Sequence, residues 1–195
     1  MPDERFVPTF LADLPLARDA LGYARELHRG QRRSSDAAPF ILHPLEVAAL
    51  LHTTGHAEVA VTAGILHDTV EDTEIDVDSI TERFGTEVGA LVGAMTEDPA
   101  IEPYEKRKAA LRQQIAEFGA DATAVYAADK VTKVRELRAQ MGRDPELLRG
   151  AQVRPKLAHY EQSLAMLEES NPEHPLVQKL RFELEALRAL PPRTG

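Results

Sequence analysis

Apolar residues recur at intervals of three and four along almost the whole chain of 195 residues. This is the spacing of residues on one face of an α-helix. In the first such segment the apolar positions are Leu16, Ala20, Tyr23, Ala24 and Leu27. No segment shows the strict alternation of apolar and polar residues that is typical of a half-buried strand. The pattern therefore predicts an all-α fold with a single domain.

Glycine and proline residues divide this pattern into separate helices. The predicted helices cover residues 16–28, 43–52, 56–72, 103–119, 120–141, 151–170 and 176–190, with two shorter ones on either side of Gly85. The segment 56–72 is so apolar that we expect it to be the central buried helix. Asp78 is the expected N-cap of the helix that precedes Gly85.

Three regions follow from these segments. Residues 1–14 form an N-terminal segment, residues 15–145 form the core, and residues 146–195 form additional C-terminal helices. One face of the last helix carries a leucine stripe: Leu176, Leu180, Leu184 and Leu187. This stripe would pack either on the core or on a second copy of the chain, so a homodimer is an open alternative.

The composition argues against several classes of protein. The chain has no cysteine, so disulfides and thiolate metal sites are excluded. The formal net charge of −9 argues against broad nucleic-acid binding, because that requires Lys and Arg to neutralise phosphates. The first residues do not form a secretory signal, and no apolar run reaches the roughly 18 residues that span a bilayer. We therefore expect a cytoplasmic protein that does not bind membranes.

Basic residues nevertheless cluster at 28–33, 105–112 and 129–138. We expect most of these to be solvated helix faces. Several histidines are expected to be solvated or capping side chains: His28, His52, His56, His159 and His174.

The stretch AGILHDTVEDTEID, residues 63–76, concentrates unusual chemistry directly after an apolar run. On a helix, His67 and Asp68 would share one side with Glu71 and Asp72 one turn later. Burying several carboxylates together is unfavourable unless a cation neutralises them. Histidine with carboxylates suits Mn, Fe, Mg or Zn. A metal needs ligands from other segments, and His43 and Asp129 are the candidates.

These residues belong to a longer pattern. The chain reads Gly-Gln-x-Arg at 30–33, Phe-x-x-His-Pro at 40–44, His-Asp-x-x-Glu-Asp-Thr at 67–73, Phe-Gly-x-x-Val at 84–88 and YAADKVTKVRELR at 126–138. Over roughly residues 15–140 it resembles the HD-domain phosphohydrolases, and within them the hydrolase domain of the RelA/SpoT alarmone enzymes. The resemblance implies an HD-domain helical bundle with extra C-terminal helices. It also implies a stand-alone small alarmone hydrolase, because a synthetase domain does not fit in this length.

The resemblance also implies roles for individual residues. The positions of the metal ligands, which usually hold manganese (Mn²⁺), are occupied by His43, His67, Asp68 and Asp129. Glu71 and Asp72 match the acidic pair near the attacking water. Arg33 matches the arginine that lies against the guanine base. Basic residues that would stabilise the pyrophosphate are Lys106, Arg107, Lys108 and Lys130.

The activity implied is removal of the 3′-pyrophosphate from guanosine tetra- and pentaphosphate (ppGpp and pppGpp). Two departures from the family pattern concern the nucleotide. In the first, Thr132 stands where the family has an aromatic residue or His, and Lys133 stands where it has an Asn; Lys133 would contact a phosphate instead. The second departure is the loop 32–40. One alternative is therefore an HD phosphohydrolase for another nucleotide, such as a dinucleotide polyphosphate or NADPH. A second is a weakly catalytic nucleotide sensor.

Overall fold

A computed structural model describes residues 6–144, 150 and 153–189. Within these ranges the chain forms helices and no strand, and one isolated bridge joins Arg32 to Pro39. The predicted all-α fold is therefore confirmed. None of the described helices has both the length and the apolar character needed to cross a membrane.

The helices follow the predicted segments closely. After a 3₁₀ turn at Thr9–Leu11 they are α1 (Pro15–Leu27), α2 (Leu42–Thr53), α3 (Glu58–Leu66), α4 (Thr69–Asp72), α5 (Val77–Phe84), α6 (Thr86–Met95), α7 (Tyr104–Phe118), α8 (Ala120–Arg143), α9 (Val153–Ser170) and α10 (Pro175–Arg188). Gly85 and Gly119 separate helices as expected, and both have positive φ angles that favour glycine.

Helix α3 lies at the centre of the bundle, where it packs against α1, α2, α6 and α8. Every residue from Ala60 to Leu66 is buried. The α2 helix approaches closely because Gly64 has no side chain: a Cβ atom there would lie 2.6 Å from Leu51 Cδ1 and 3.2 Å from Val47 Cγ1. This close packing brings the start of α2 beside the end of α3.

Two local predictions were wrong. The segment 56–72 is not one helix, because α3 ends at Leu66 and the short α4 begins at Thr69. The N-cap of α5 is Asp76 instead of Asp78: its Oδ1 accepts a hydrogen bond from the Ser79 N–H at 2.9 Å. Asp78 lies in the first turn of α5, where its negative charge interacts favourably with the helix dipole.

The C-terminal helices pack on the rest of the chain. Helix α10 lies against α8 and α9, and α9 lies against α7 and α8. All four leucines of the predicted stripe are buried, so within one chain the stripe belongs to the core. Three parts of the sequence prediction lie outside the described residues: the region boundary at 145/146, the start of the helix 151–170 and residues 1–5. The three-region division therefore stays a prediction.

We predict that the close approach of α2 and α3 does not tolerate a side chain at position 64. Gly64→Val should lower the free energy of unfolding by about 1–3 kcal/mol, because the new atoms overlap the buried Leu51 side chain. The matched control is Gly22→Val on the exposed side of α1, where a Cβ atom would have no described atom within 4 Å. Chemical denaturation measures both; equal stability of the two variants would contradict the prediction.

Candidate active site

The break between α3 and α4 has a physical cause in two side chains that bind the last carbonyls of α3. The His67 Nδ1 lies 2.9 Å from the carbonyl oxygen of Gly64, and the Thr69 hydroxyl donates to that of Leu66 at 2.6 Å. Such side-chain bonds compete with the helical pattern and allow the backbone to turn. His67 and Asp68 form this turn, and His67 Nε2 lies 3.1 Å from Asp68 Oδ1.

Two other helices bring the remaining predicted ligands to the same point. His43 enters from the first turn of α2, and its Nε2 lies 3.3 Å from His67 Nε2. Asp129 enters from the middle of α8, with Oδ1 3.2 Å from His43 Nε2 and 3.6 Å from His67 Nε2. His43, His67 and Asp129 each offer a ligand atom within 4.8 Å of the other two. Asp68 adjoins them, with Oδ2 3.3 Å from His43 Nε2.

Hydrogen bonds behind the two rings orient both imidazoles. The Thr132 hydroxyl donates to the carbonyl of Asp129 at 2.8 Å, so it accepts from the Nδ1–H of His43 at 3.1 Å. The carbonyl of Gly64 accepts from the Nδ1–H of His67. Both Nε2 atoms are therefore left facing the centre of the cluster. Proteins hold metal-binding histidines in the same way. The role of Thr132 was missed, because its departure from the family pattern was attributed to the nucleotide side.

The donor set fits a divalent metal ion. All four residues are buried, and Asp129 Oδ1 has no hydrogen-bond partner among the described residues. Burial alone would lower the pKa of His67, but Asp68 and Asp129 raise that pKa to about 10. The cluster therefore favours a positive charge at its centre. The two histidines and Asp129 could hold such an ion, and Asp68 is close enough to join them.

Two lysines of α8 lie at Asp129. Lys130 Nζ is 2.6 Å from Asp129 Oδ2, and Lys133 Nζ is 3.2 Å from Asp129 Oδ1 and 3.8 Å from Asp68 Oδ1. Burial would raise the pKa of Asp129, but the two ammonium groups hold it well below its usual range. Lys130 therefore contacts the Asp129 oxygen that faces away from the histidines, whereas Lys133 contacts the oxygen that faces them.

The acidic pair Glu71 and Asp72 lies on α4, which is fastened at two points. Glu71 Oε1 accepts from the backbone N–H of Glu97 at 2.7 Å, and the Gln31 side chain donates to the carbonyl of Asp72 at 3.0 Å. Burial is the main cause of the raised pKa of both carboxyls, and the charge of Asp68 raises each further. Gln31, within the Gly-Gln-x-Arg motif, thus positions the helix that carries the pair.

The other predicted substrate residues are tied to carboxylates. Arg33 Nη1 lies 3.2 Å from Glu46 and 3.1 Å from Glu136, and the guanidinium also pairs with Asp36. Arg107 contacts Glu97 and Glu102, and Lys108 also pairs with Glu97. Lys106 is exposed. The expectation of solvated basic faces is wrong for Arg33, Lys108 and Lys130, because each is partly or fully buried in an ion pair.

A cavity of about 530 Å³ lies between α7 and α9. Three basic side chains, Lys108, Arg112 and Arg154, and one carboxylate, Glu105, contribute to its wall. His159 also lines it and is buried, contrary to the expectation of a solvated ring. Its Nδ1 accepts from Arg112 Nη1 at 2.8 Å, so the neutral ring carries its proton on Nε2.

This histidine stays neutral. Burial and the charge of Lys130 lower the pKa of His159 to about 2. The Nε2–H has no hydrogen-bond partner within the described part of the chain. The same Lys130 pairs with Asp129, so it connects the wall of the cavity electrostatically with the candidate metal-ligand cluster.

Comparison with known proteins agrees with this geometry. A family model described as HD domain matches residues 20–150, more than half of the chain. The chain belongs to the HD-domain family. All four clustered residues, His43, His67, Asp68 and Asp129, lie inside the matched range.

The chain is similar to proteins of comparable length and to one much longer protein. It is 35% identical over 122 residues to human guanosine-3′,5′-bis(diphosphate) 3′-pyrophosphohydrolase MESH1, covering 61% of this chain and 68% of the human protein. The Xenopus tropicalis MESH1 is 36% identical over 130 residues, covering 65% of this chain and 72% of the frog protein. The GTP pyrophosphokinase of Myxococcus xanthus is 33% identical over 133 residues, 64% of this chain, but the match spans only 17% of that longer protein.

Solved structures share the fold. One, described as a metazoan ortholog of SpoT that hydrolyzes ppGpp, gives a TM-score of 0.73 at 24% identity, covering 95% of this chain and 99% of that chain. The crystal structure of lmo0812 from Listeria monocytogenes gives a TM-score of 0.65 at 28% identity, covering 73% and 96%.

We predict that metal binding depends on Asp68 and not on Glu71. Asp68→Ala removes a carboxylate from the cluster, and its affinity for Mn²⁺ should fall by about a hundredfold or more, since even outer-shell changes cost about 10–100-fold. Glu71→Gln, a matched change one helical turn away, should bind Mn²⁺ within a few-fold of the unmodified protein. Isothermal titration calorimetry measures both. Unchanged affinity in Asp68→Ala would remove this residue from the ligand set.

Proposed function

We propose that the chain is a metal-dependent hydrolase that removes the 3′-pyrophosphate from ppGpp and pppGpp. The observation that carries the proposal is the convergence of His43, His67 and Asp129 on one buried point, with Asp68 beside them. The name of the MESH1 relatives supports the substrate, and the chain covers more than two thirds of those proteins. The remaining steps assign the parts of this reaction to the residues of the site.

His43, His67, Asp68 and Asp129 would hold one divalent ion, which we take to be Mn²⁺ from the family resemblance. Two imidazole nitrogens with carboxylate oxygens also accept iron, magnesium or zinc, so the choice rests on the resemblance. When bound, such an ion lowers the pKa of a water ligand and offsets charge on phosphoryl oxygens. Thr132 and Lys130 keep the ligands in place through His43 Nδ1 and Asp129 Oδ2.

Glu71 and Asp72 would take the proton of the attacking water. The pKa of Glu71 is raised, mainly by loss of water around its carboxyl group, so its carboxylate is a stronger base than an ordinary glutamate. The bond between Glu71 Oε1 and the Glu97 N–H fixes the side chain, which leaves its second oxygen for the water. Proton transfer to a positioned carboxylate contributes about 10²–10⁴-fold to the rates of such reactions.

The basic side chains would bind the charged nucleotide. Removal of pyrophosphate places negative charge on the leaving group, and cations stabilise it. Lys133 adjoins the cluster and is the best placed of the predicted phosphate ligands. Arg33, from the segment between α1 and α2, contacts α8 one turn farther on, at Glu136. The cavity between α7 and α9 would take a phosphate group of the nucleotide through Lys108, Arg112 and Arg154. Arg107 instead holds the segment before α7 through Glu97 and Glu102.

A second candidate is an HD phosphohydrolase for another nucleotide, such as a dinucleotide polyphosphate or NADPH. The specific observation in its favour is Lys133, because its ammonium stands where the family pattern has an Asn that holds the nucleotide. A weakly catalytic sensor is the third candidate, and the presence of both Glu71 and Asp72 argues against it. Residence in the cytoplasm and a homodimer stay predictions from the sequence.

The test is a hydrolysis panel with ppGpp, pppGpp, a dinucleotide polyphosphate and NADPH, each with Mn²⁺ and with a chelator. We expect Mn²⁺-dependent release of pyrophosphate from ppGpp and pppGpp. Glu71→Gln is the control: it should lower turnover by about 10²–10⁴-fold while it still binds Mn²⁺. Hydrolysis of NADPH or the dinucleotide alone would establish the second candidate, and binding of nucleotide without turnover would establish the sensor.

We also predict that the cavity between α7 and α9 affects substrate binding more than chemistry. Arg154→Gln should raise the KM for ppGpp by about tenfold, as expected for loss of one charged hydrogen bond, with little change in kcat. The control is Lys156→Gln, an exposed residue of the same helix that does not line the cavity. Equal KM values for the two variants would exclude the cavity from substrate binding.

A further inference from the structure

The position of Lys133 conflicts with a metal ion in the cluster. Its Nζ lies 3.2 Å from Asp129 Oδ1 and 3.8 Å from Asp68 Oδ1. The same Asp129 oxygen faces His43 Nε2 at 3.2 Å, and the same Asp68 oxygen faces His67 Nε2 at 3.1 Å. The ammonium group is thus directed at the oxygens that a metal ion held by the two histidines would use.

The neighbouring Lys130 has no such conflict. It binds the other oxygen of Asp129, Oδ2, at 2.6 Å, and its side chain is only 5% exposed. A carboxylate can bind a metal through one oxygen and a lysine through the other. The Lys133 side chain is 36% exposed, so it has an open side toward which it can move. The two lysines therefore differ both in the oxygen that they contact and in their freedom to leave.

Charge repulsion makes simultaneous occupancy unfavourable. A metal ion binds a carboxylate oxygen at about 2.0–2.2 Å, much closer than an ammonium group does. A divalent ion and Lys133 would then lie within a few ångströms of each other in a buried site, where charges are poorly screened. Without a metal ion, however, Asp68 and Asp129 are neighbouring buried carboxylates, which is costly unless cations compensate for them. Lys130 pairs with Asp129 alone, whereas Lys133 faces both carboxylates.

We propose that Lys133 is a built-in counter-cation of the metal site: it neutralises Asp68 and Asp129 in the metal-free protein and is displaced toward the open side when the metal binds. The metal-free cluster is thereby stabilised, and metal affinity is lowered in proportion. The inference rests on the metal site of the proposed function, but it does not depend on the identity of the nucleotide.

The test uses Lys133→Met, which keeps an unbranched side chain of similar length and removes the charge. Mn²⁺ affinity is measured by isothermal titration calorimetry on protein stripped with a chelator, and Tm is measured with and without Mn²⁺. We expect Lys133→Met to bind Mn²⁺ about tenfold more tightly and to have a lower Tm without metal. The rise in Tm on adding Mn²⁺ should therefore be larger than in the unmodified protein.

Three further variants make the result decisive. Lys179→Met changes the net charge equally at an exposed site on α10 and should leave both quantities unchanged. Lys133→Arg keeps the charge and should not gain affinity. Lys133→Asn introduces the residue of the family pattern and also removes the charge, so it should bind Mn²⁺ more tightly too. It replaces Lys133→Met as the test if Lys133→Met does not fold.

The proposal would be overturned if the neutral variant that folds, Lys133→Met or Lys133→Asn, had the same Mn²⁺ affinity and the same metal-induced rise in Tm as the unmodified protein. The probe is the metal alone, so absence of ppGpp hydrolysis would contradict the proposed substrate and leave this inference intact. Conversely, unchanged Mn²⁺ affinity with active ppGpp hydrolysis would reject only the role of Lys133.

Discussion

The charges of two buried carboxylates, Asp68 and Asp129, have to be compensated, and the packing of the surrounding helices depends on this. An ionised carboxylate is costly to bury unless cations or hydrogen bonds compensate for the lost water. The compensating groups come from different helices, with imidazoles from α2 and the end of α3 and ammonium groups from α8. These helices have to pack closely for the charges to meet. Gly64 permits that approach at the crossing of α2 and α3.

The sequence predicted the helices well because their apolar spacing records the face that each one buries. It could not predict the break at His67 and Asp68, because the residues on both sides also follow helical spacing. The break depends on hydrogen bonds from His67 to Gly64 and from Thr69 to Leu66, which periodicity does not record. The four predicted metal ligands were assigned from the family motif. Without the motif, the sequence offered His43 at the start of a helix and Asp129 as a lone acidic residue, with no reason to bring the two together.

Charged residues were harder to predict than apolar ones, because their partners are distant in sequence. Arg33 pairs with Glu136, which follows it by 103 positions, and Lys108 pairs with Glu97 from the segment before its helix. A basic cluster in a sequence looks the same whether it is solvated or paired. The same limit applies to His159, whose pKa is lowered by burial first and then by cations on two other helices, among them Lys130 and Arg112.

One turn of α8 combines functions that the sequence had placed on separate sides of the site. The stretch 129–133 carries a predicted ligand in Asp129, its ion-pair partner Lys130, the hydroxyl of Thr132 that orients His43, and the ammonium of Lys133. One of the two departures from the family pattern, at Thr132 and Lys133, lies in this turn. Thr132 and Lys133 both contact the candidate metal ligands directly, through His43 and Asp129. In the proposed reaction this helical turn would supply groups to both the metal and the nucleotide, so a change in it would alter metal affinity and nucleotide choice together.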